Sequence, residues 1–184
     1  FKISGCDPEI QISNISRPHR LHGSTLKIKN AETYFEQLQD VGVIVDRNIR
    51  LSNINDLVIN HEKSKKVKPD LTELLLNELT DLVEAPLLVT GHFDESFLDL
   101  PPEVLSTVMK VHQRYIPLYK VNVEFDPLSL DSRNILLPSF LCISNGLSSA
   151  KENIILGNEK VLKARFSDAS FFIKSDLLIK SSSR

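Results

Sequence analysis

The stretch "PEVLSTVMKVHQRYIPLY" (residues 102–119) decides the fold class, because it demands two periodicities back to back. Val104, Val108 and Val111, broadened by Leu105 and Met109, recur at helical spacing, and Pro102 suits a first helical turn. Glu103, Ser106, Thr107, Lys110, Gln113 and Arg114 take the opposite face, with His112 at the border as a half-buried histidine. From Tyr115 to Val123 the chain reads as extended, and Pro117 marks an edge strand or a bulge. A helix therefore hands over directly to a strand, with three polar donors gathered at the junction. The helix dipole accounts for the cations Lys110 and Arg114 in a last turn, but not for Gln113. Together they are the donors expected on phosphate and sugar oxygens.

Working outward, the same alternation of types recurs. "EIQISNI" (9–15) and "TLKIK" (25–29) read as strands around a turn-rich loop, "SRPHRLHG" (16–23). Asn30 is the expected N-cap of a helix to about Val41, with Tyr34, Leu38 and Val41 on its buried face and Gly42 ending it. "VIVD" (43–46) is a short extended piece, and a second helix runs to about His61. "EKSKKVKP" (62–69) reads as a polar break. Asp70 with Glu73 has the form of a capping box opening "DLTELLLNELTDLV", whose Leu71, Leu75, Leu79 and Leu82 form a buried stripe broadened by Leu74 and Leu76.

Beyond Pro86, "LLVTGHF" (87–93) predicts a buried strand and "HFDESFLD" (92–99) a solvated turn with buried phenylalanines. "EFDPLSLDSRN" (124–134) is a loop, "PSFLCISN" (138–145) a strand, and the remainder mostly helix to about Leu177. In that last helix Asn158 is the expected N-cap, Val161, Leu162, Ala169 and Phe172 the core stripe, and Glu159 a partner for Lys163. Lys160 and Arg165 point away from the core. The elements mix without a regular βαβ rhythm. The prediction is an α+β fold, with a mixed or antiparallel sheet packed against several helices. One domain over 1–177 is expected, with 178–184 a frayed end or linker.

Composition narrows the function classes. The 184 residues are 41% hydrophobic and 25% charged, as in ordinary globular domains, and no apolar run nears the roughly 20 residues of a membrane span. Cys6 and Cys142 lie far apart in sequence, fitting two reduced thiols and a cytoplasmic setting. The net charge of −2 hides a segregation: Asp70 to Glu103 holds nine carboxylates and no Lys or Arg, which leaves +7 on the rest. The basic parts are Arg17 to Lys29 and Lys110 to Lys120, local patches able to guide a polyanion over a screening length of about 8–10 Å. No G-x-S-x-G elbow, glycine-rich phosphate loop or H-E-x-x-H occurs. His19 and His22 have no third metal ligand nearby, so with Arg17 and Arg20 they suit an anion better than a metal.

Three stretches in series, "SRPHRLHG", "FDESFLDLPPEVLSTVMKVHQRYIPLY" and "ISNG…GNEKVLKARFSDASFF", resemble the beta subunit of bacterial-type glycyl-tRNA synthetase over nearly the whole chain. Pro18 and Leu21 depart from the Gly-His-Arg-Phe usual there, and Ile116 stands where Phe is frequent. The resemblance implies an internal fragment from the N-terminal half of a subunit of an alpha-two beta-two enzyme. In that enzyme the alpha subunit activates glycine with ATP and Mg2+, and the beta subunit binds tRNA-Gly. It also implies a likeness to the B3/B4 domain of phenylalanyl-tRNA synthetase, an editing domain there, though fold does not carry activity with it.

The expected role is a non-catalytic module that positions tRNA, with no cofactor in this fragment. Its candidate tRNA contacts are Arg17, Arg20, Lys110, Gln113, Arg114, Lys160 and Arg165, with Tyr115, Asn158 and Glu159 as structural motif residues. The partners expected are tRNA-Gly, the alpha subunit and the remaining beta domains, with no membrane. A purely structural module and a hydrolytic editing site are the alternatives; glycine's small size permits steric exclusion of larger amino acids, which argues against the latter.

Overall fold

A computed structural model describes residues 2–3, 10–11, 13–19, 25–121 and 135–182, with backbone alone at Lys2–Ile3, Ile10–Gln11 and 176–182. Cys6, Arg20, His22 and the predicted loop at 124–134 lie outside these residues. Two short antiparallel pairs begin the chain, β1 (Lys2–Ile3) with β2 (Ile10–Gln11) and β3 (Ile15–Ser16) with β4 (Leu26–Lys27). The helices α1 (Tyr34–Asp40) and α2 (Arg47–Lys65) follow, then β5 (Val67–Pro69), α3 (Glu73–Leu82) and β6 (Pro86–His92). Next come α4 (Pro102–Thr107), β7 (Ile116–Lys120), β8 (Leu136–Asn145) and the long α5 (Lys151–Ser182), which continues past the expected end at Leu177. The fold is α+β, and its main sheet is wholly antiparallel in the order β5-β7-β8-β6. None of the described helices is long and apolar enough to cross a membrane.

Helices cover both faces of this sheet. On one, Ile54 and Val58 of α2 with Leu75 and Leu79 of α3 pack on Ile116, Leu118, Leu141 and Ile143. On the other, Leu105, Met109, Leu162 and Phe166 pack on Val89, Tyr115, Phe140 and Cys142. Phe93, just before a 3-10 turn at Glu95–Asp99, and Phe97 within it meet Phe166 at ring separations of 5.1 and 5.4 Å; both are half-buried, not buried as expected. Gly91 is what lets the sheet close here: a Cβ on it would sit 2.4 Å from Phe140 Cζ.

Several boundaries differ from those expected, each for a local reason. Asn30 does not cap α1; its Oδ1 accepts from the N–H and hydroxyl of Thr33, and helix begins only at Tyr34, which is exposed. The presumed break at 62–69 is the last turn of α2, ended by left-handed Lys66, and then β5. Its lysines signal exposure and a favourable helix dipole, not chain irregularity. Thr72, not Asp70, caps α3 by accepting from the Leu75 N–H, while Leu74 and Leu82 of the expected stripe face solvent. Of the two readings of Pro117, the bulge holds and the edge does not: β7 lies between β5 and β8, with a register shift between Pro117 and Tyr119. In α5, Val161 and Phe172 are exposed, and the buried stripe is Leu162 and Phe166.

Candidate nucleic-acid interface

The helix that opens at Pro102 widens into a π-turn over Val108–His112 and ends with Arg114 at φ 55°. The Tyr115 N–H then donates to the Met109 carbonyl at 2.8 Å, which turns the chain straight into β7. The extra residue in that turn rotates the face. Met109 is fully buried, whereas Val111 is 58% exposed, and His112 stands in solvent instead of half-buried. A sequence read at an even 100° per residue cannot register such a slip.

The three donors of this helix end are not equivalent. Lys110 Nζ donates to Asp70 Oδ2 at 2.6 Å, a pair whose side chains are only 27% and 18% exposed. Arg114 Nε donates to Glu78 Oε2 at 3.2 Å, and its Nη1 to the Val111 carbonyl at 2.6 Å. Gln113 is half-buried beside them. Asp70 is itself held by its N–H on the Pro117 carbonyl, so the Lys110 pair ties helix end, β7 and the entry to α3 together. Two of the nine carboxylates of the acidic segment, Asp70 and Glu78, thus pair with the basic junction.

Tyr115, the next residue, stacks on Phe140 at 4.6 Å and donates its hydroxyl to Asn158 Oδ1 at 2.6 Å. Burial pushes its phenol well above the usual tyrosine range. Asn158 is not an N-cap. It lies inside α5 and donates to the Ile154 carbonyl, so one amide joins α5 to the helix–strand junction. Glu159 accepts from the His92 N–H at 2.8 Å and, among the described residues, forms no ion pair with Lys163. It thereby satisfies a backbone donor at the free edge of β6.

The remaining cations occupy separate places. Arg17 is exposed at a cleft of about 450 Å³ whose walls also carry Arg50, Asp81 and Glu84. Its neighbour His19 is 1% exposed with Nε2 3.1 Å from Asn145 Oδ1, an oxygen that also accepts from Glu84 and Ala85 N–H groups. His19 is therefore a packed residue and not part of an open loop. Lys160 and Arg165 are both exposed on α5. At five residues' separation they stand about 140° apart around the helix, so they do not share a face. Lys160 instead adjoins Lys163 in a cleft of about 390 Å³ with His92 and Asp94. A hydrogen bond from Ser96, helped by Lys163, holds the Asp94 carboxyl below its usual range. Arg17 and Lys160 mark opposite ends of the β6–β8 pair, where Pro86 meets Asn145 and His92 meets Ser139, a span of about 20 Å. The six described candidates therefore form no single pocket. Sequence reasoning also missed the Asp70, Glu78 and His92 partners, because contacts between elements leave no local pattern.

The family model described as glycyl-tRNA synthetase beta subunit matches residues 1–184. A glycine–tRNA ligase beta subunit of Trichodesmium erythraeum is 42% identical over 170 residues, 92% of this chain and 23% of that protein. Those of Streptococcus uberis and Bacillus subtilis are 42% and 38% identical, each over 91% of this chain and 23% of theirs. The chain therefore belongs to the glycyl-tRNA synthetase beta-subunit family. It spans about a quarter of the length of these relatives.

Proposed function

We propose that this chain serves glycyl-tRNA synthesis as a non-catalytic module of the beta subunit of glycine–tRNA ligase, helping to position tRNA-Gly. The observation that carries this is the division among its cations. Lys110 and Arg114 are bound to carboxylates of the same chain, whereas Lys160 and Arg165 make no ion pair or side-chain hydrogen bond among the described residues. Uncommitted exposed cations lose little on meeting a phosphate, while committed ones must first break an internal pair. The contact element is therefore α5, met on two sides at Lys160 and at Arg165, with Arg17 and Arg20 as a second point, and Lys110, Gln113 and Arg114 contribute by shaping the junction that carries it. In this account the alpha subunit performs the ATP- and Mg2+-dependent activation of glycine, in the cytoplasm.

The test is aminoacylation by the intact enzyme carrying Lys160→Glu and Arg165→Glu. A raised KM for tRNA-Gly with unchanged KM values for ATP and glycine is expected; unchanged tRNA kinetics would refute the role. A second reading, a structural module docked on the alpha subunit or the rest of beta, is favoured by one observation. Phe171 and Phe172 on α5 are 67% and 66% exposed. Phe172→Ser should then weaken subunit assembly, seen by size-exclusion chromatography, without affecting the tRNA KM of assembled enzyme.

A further inference from the structure

The stripe that α2 presents to the sheet changes character along its length. Ile54 and Val58 are buried against it, but one and two turns further on the same face come His61 and Lys65. The sheet changes at the same level. Leu141 and Leu88 give way to Ser139, Thr90 and His92, the last opposite Ser139 in the ladder. A cleft of about 570 Å³ opens where both layers turn polar, and Lys151 at the start of α5 reaches it around the edge strand β6. That volume lies in the range of sites for small organic ligands.

Its lining is chemically one-sided. Two lysines, two histidines and two hydroxyls face it with no carboxylate, whereas each of the other four clefts described includes Asp or Glu. The imidazoles and ammonium groups of these four residues have no hydrogen-bond partner among the described residues. Ser139 is buried, 9% exposed, and its hydroxyl has no partner there either. A buried hydroxyl without a partner costs free energy unless something enters to accept or donate. Burial, with the charge of Lys65 adding to it, holds His61 below the usual histidine range, as expected beside uncompensated positive charge. Leu88 and Leu118 supply an apolar floor.

We infer that this cleft is a binding site for a nucleoside phosphate, with Lys65, Lys151 and the two imidazoles on the phosphoryl oxygens, Ser139 bonded to the ligand, and the sugar–base portion over the leucines. The same chemistry is offered by a free mononucleotide and by one nucleotide of an RNA strand. The site opens on the α2 face of the sheet; His92 also borders the cleft of Lys160 and Lys163, but His61, Lys65, Ser139 and Lys151 do not, and the assignment does not depend on a role of Lys160 and Arg165 in holding tRNA.

The test is local protection from diethyl pyrocarbonate in the intact alpha–beta enzyme, read peptide by peptide by mass spectrometry at His61 and His92, with exposed His112 as control. The probes are uridine, uridine 5′-monophosphate and a short oligouridylate. The monophosphate or the oligonucleotide should slow modification of His61 and His92 while leaving His112 unchanged, and uridine should protect much less. Protection by the monophosphate identifies a mononucleotide site; protection by the oligonucleotide alone identifies a strand. Lys65→Glu/Lys151→Glu, at two exposed positions, should raise the protecting concentration by about tenfold or more, since hydrogen bonds from charged donors to phosphate are the strong ones. No protection by either phosphorylated probe, equal protection by uridine, or protection unaltered in the double variant would overturn the assignment. Loss of the tRNA effect at Lys160 and Arg165 with protection intact would remove the proposed tRNA role and leave this site standing.

Discussion

Replacing Lys110 by Met separates an internal latch from a nucleic-acid contact. The substitution keeps the aliphatic stem and removes the ammonium that donates to Asp70 at 2.6 Å. Hydrogen bonds to charged groups are worth about 1.5–3 kcal/mol, and this pair is mostly but not wholly shielded, so water regains partial access to Asp70. The expected loss is therefore about 1.5–2 kcal/mol, or about 3–8 °C in Tm for a domain of this size. Lys110→Glu should cost more, about 2–4 kcal/mol, because two carboxylates some 5 Å apart repel by up to about 3 kcal/mol at an effective dielectric of 20. Thermal unfolding followed by far-ultraviolet circular dichroism measures both. Asp70→Leu combined with Lys110→Met should recover part of the loss, giving a coupling energy of about 1–2 kcal/mol in a double-mutant cycle. If Lys110→Met unfolds within about 0.5 kcal/mol of the parent, the latch contributes nothing measurable and Lys110 is not committed to Asp70.

Three further outcomes follow from the packing. Gly91→Ala must displace the fully buried Phe140 ring, itself stacked on Tyr115, and should lower the urea midpoint by the equivalent of about 2–3 kcal/mol; a neutral effect would show that the ring yields freely. Tyr115→Phe leaves Asn158 Oδ1 without its donor in a half-buried seam and should cost about 1–2 kcal/mol by the same assay, with no effect expected if water replaces the hydroxyl. Burial pushes the Cys142 thiol up to about 12, so iodoacetamide should label it only as the domain unfolds; rapid labelling at neutral pH would contradict its placement.

Which features could be read from the sequence depended on whether they were local. Runs such as "PSFLCISN" and the leucines of α3 announce strand and helix through spacing alone, and the alternation of types along the chain yields α+β without further help. Caps were harder, because Asn30, Asp70 and Asn158 each have the chemistry of an N-cap while another residue, or no side chain at all, takes that role. Asp70 is the instructive case. Its carboxylate satisfies a partner forty residues away, and nothing within a helical turn of it signals that. The π-turn likewise moves Val111 outward and His112 into solvent by inserting one residue into a period assumed constant. The candidate cations were found by type, but whether each is committed or available depends on contacts across elements. So does the cleft beneath α2, since His61, Lys65 and Ser139 converge only after the sheet has formed.

The claim at the centre of this account is that α5, not the helix end at Arg114, faces RNA. Binding of tRNA-Gly by the intact enzyme over a salt series tests it, comparing Lys160→Glu/Arg165→Glu with the parent. The account predicts weaker binding and a log–log salt slope shallower by about 1–2, near 0.7–0.9 for each phosphate that is no longer neutralised. An unchanged slope and affinity in that variant would contradict it.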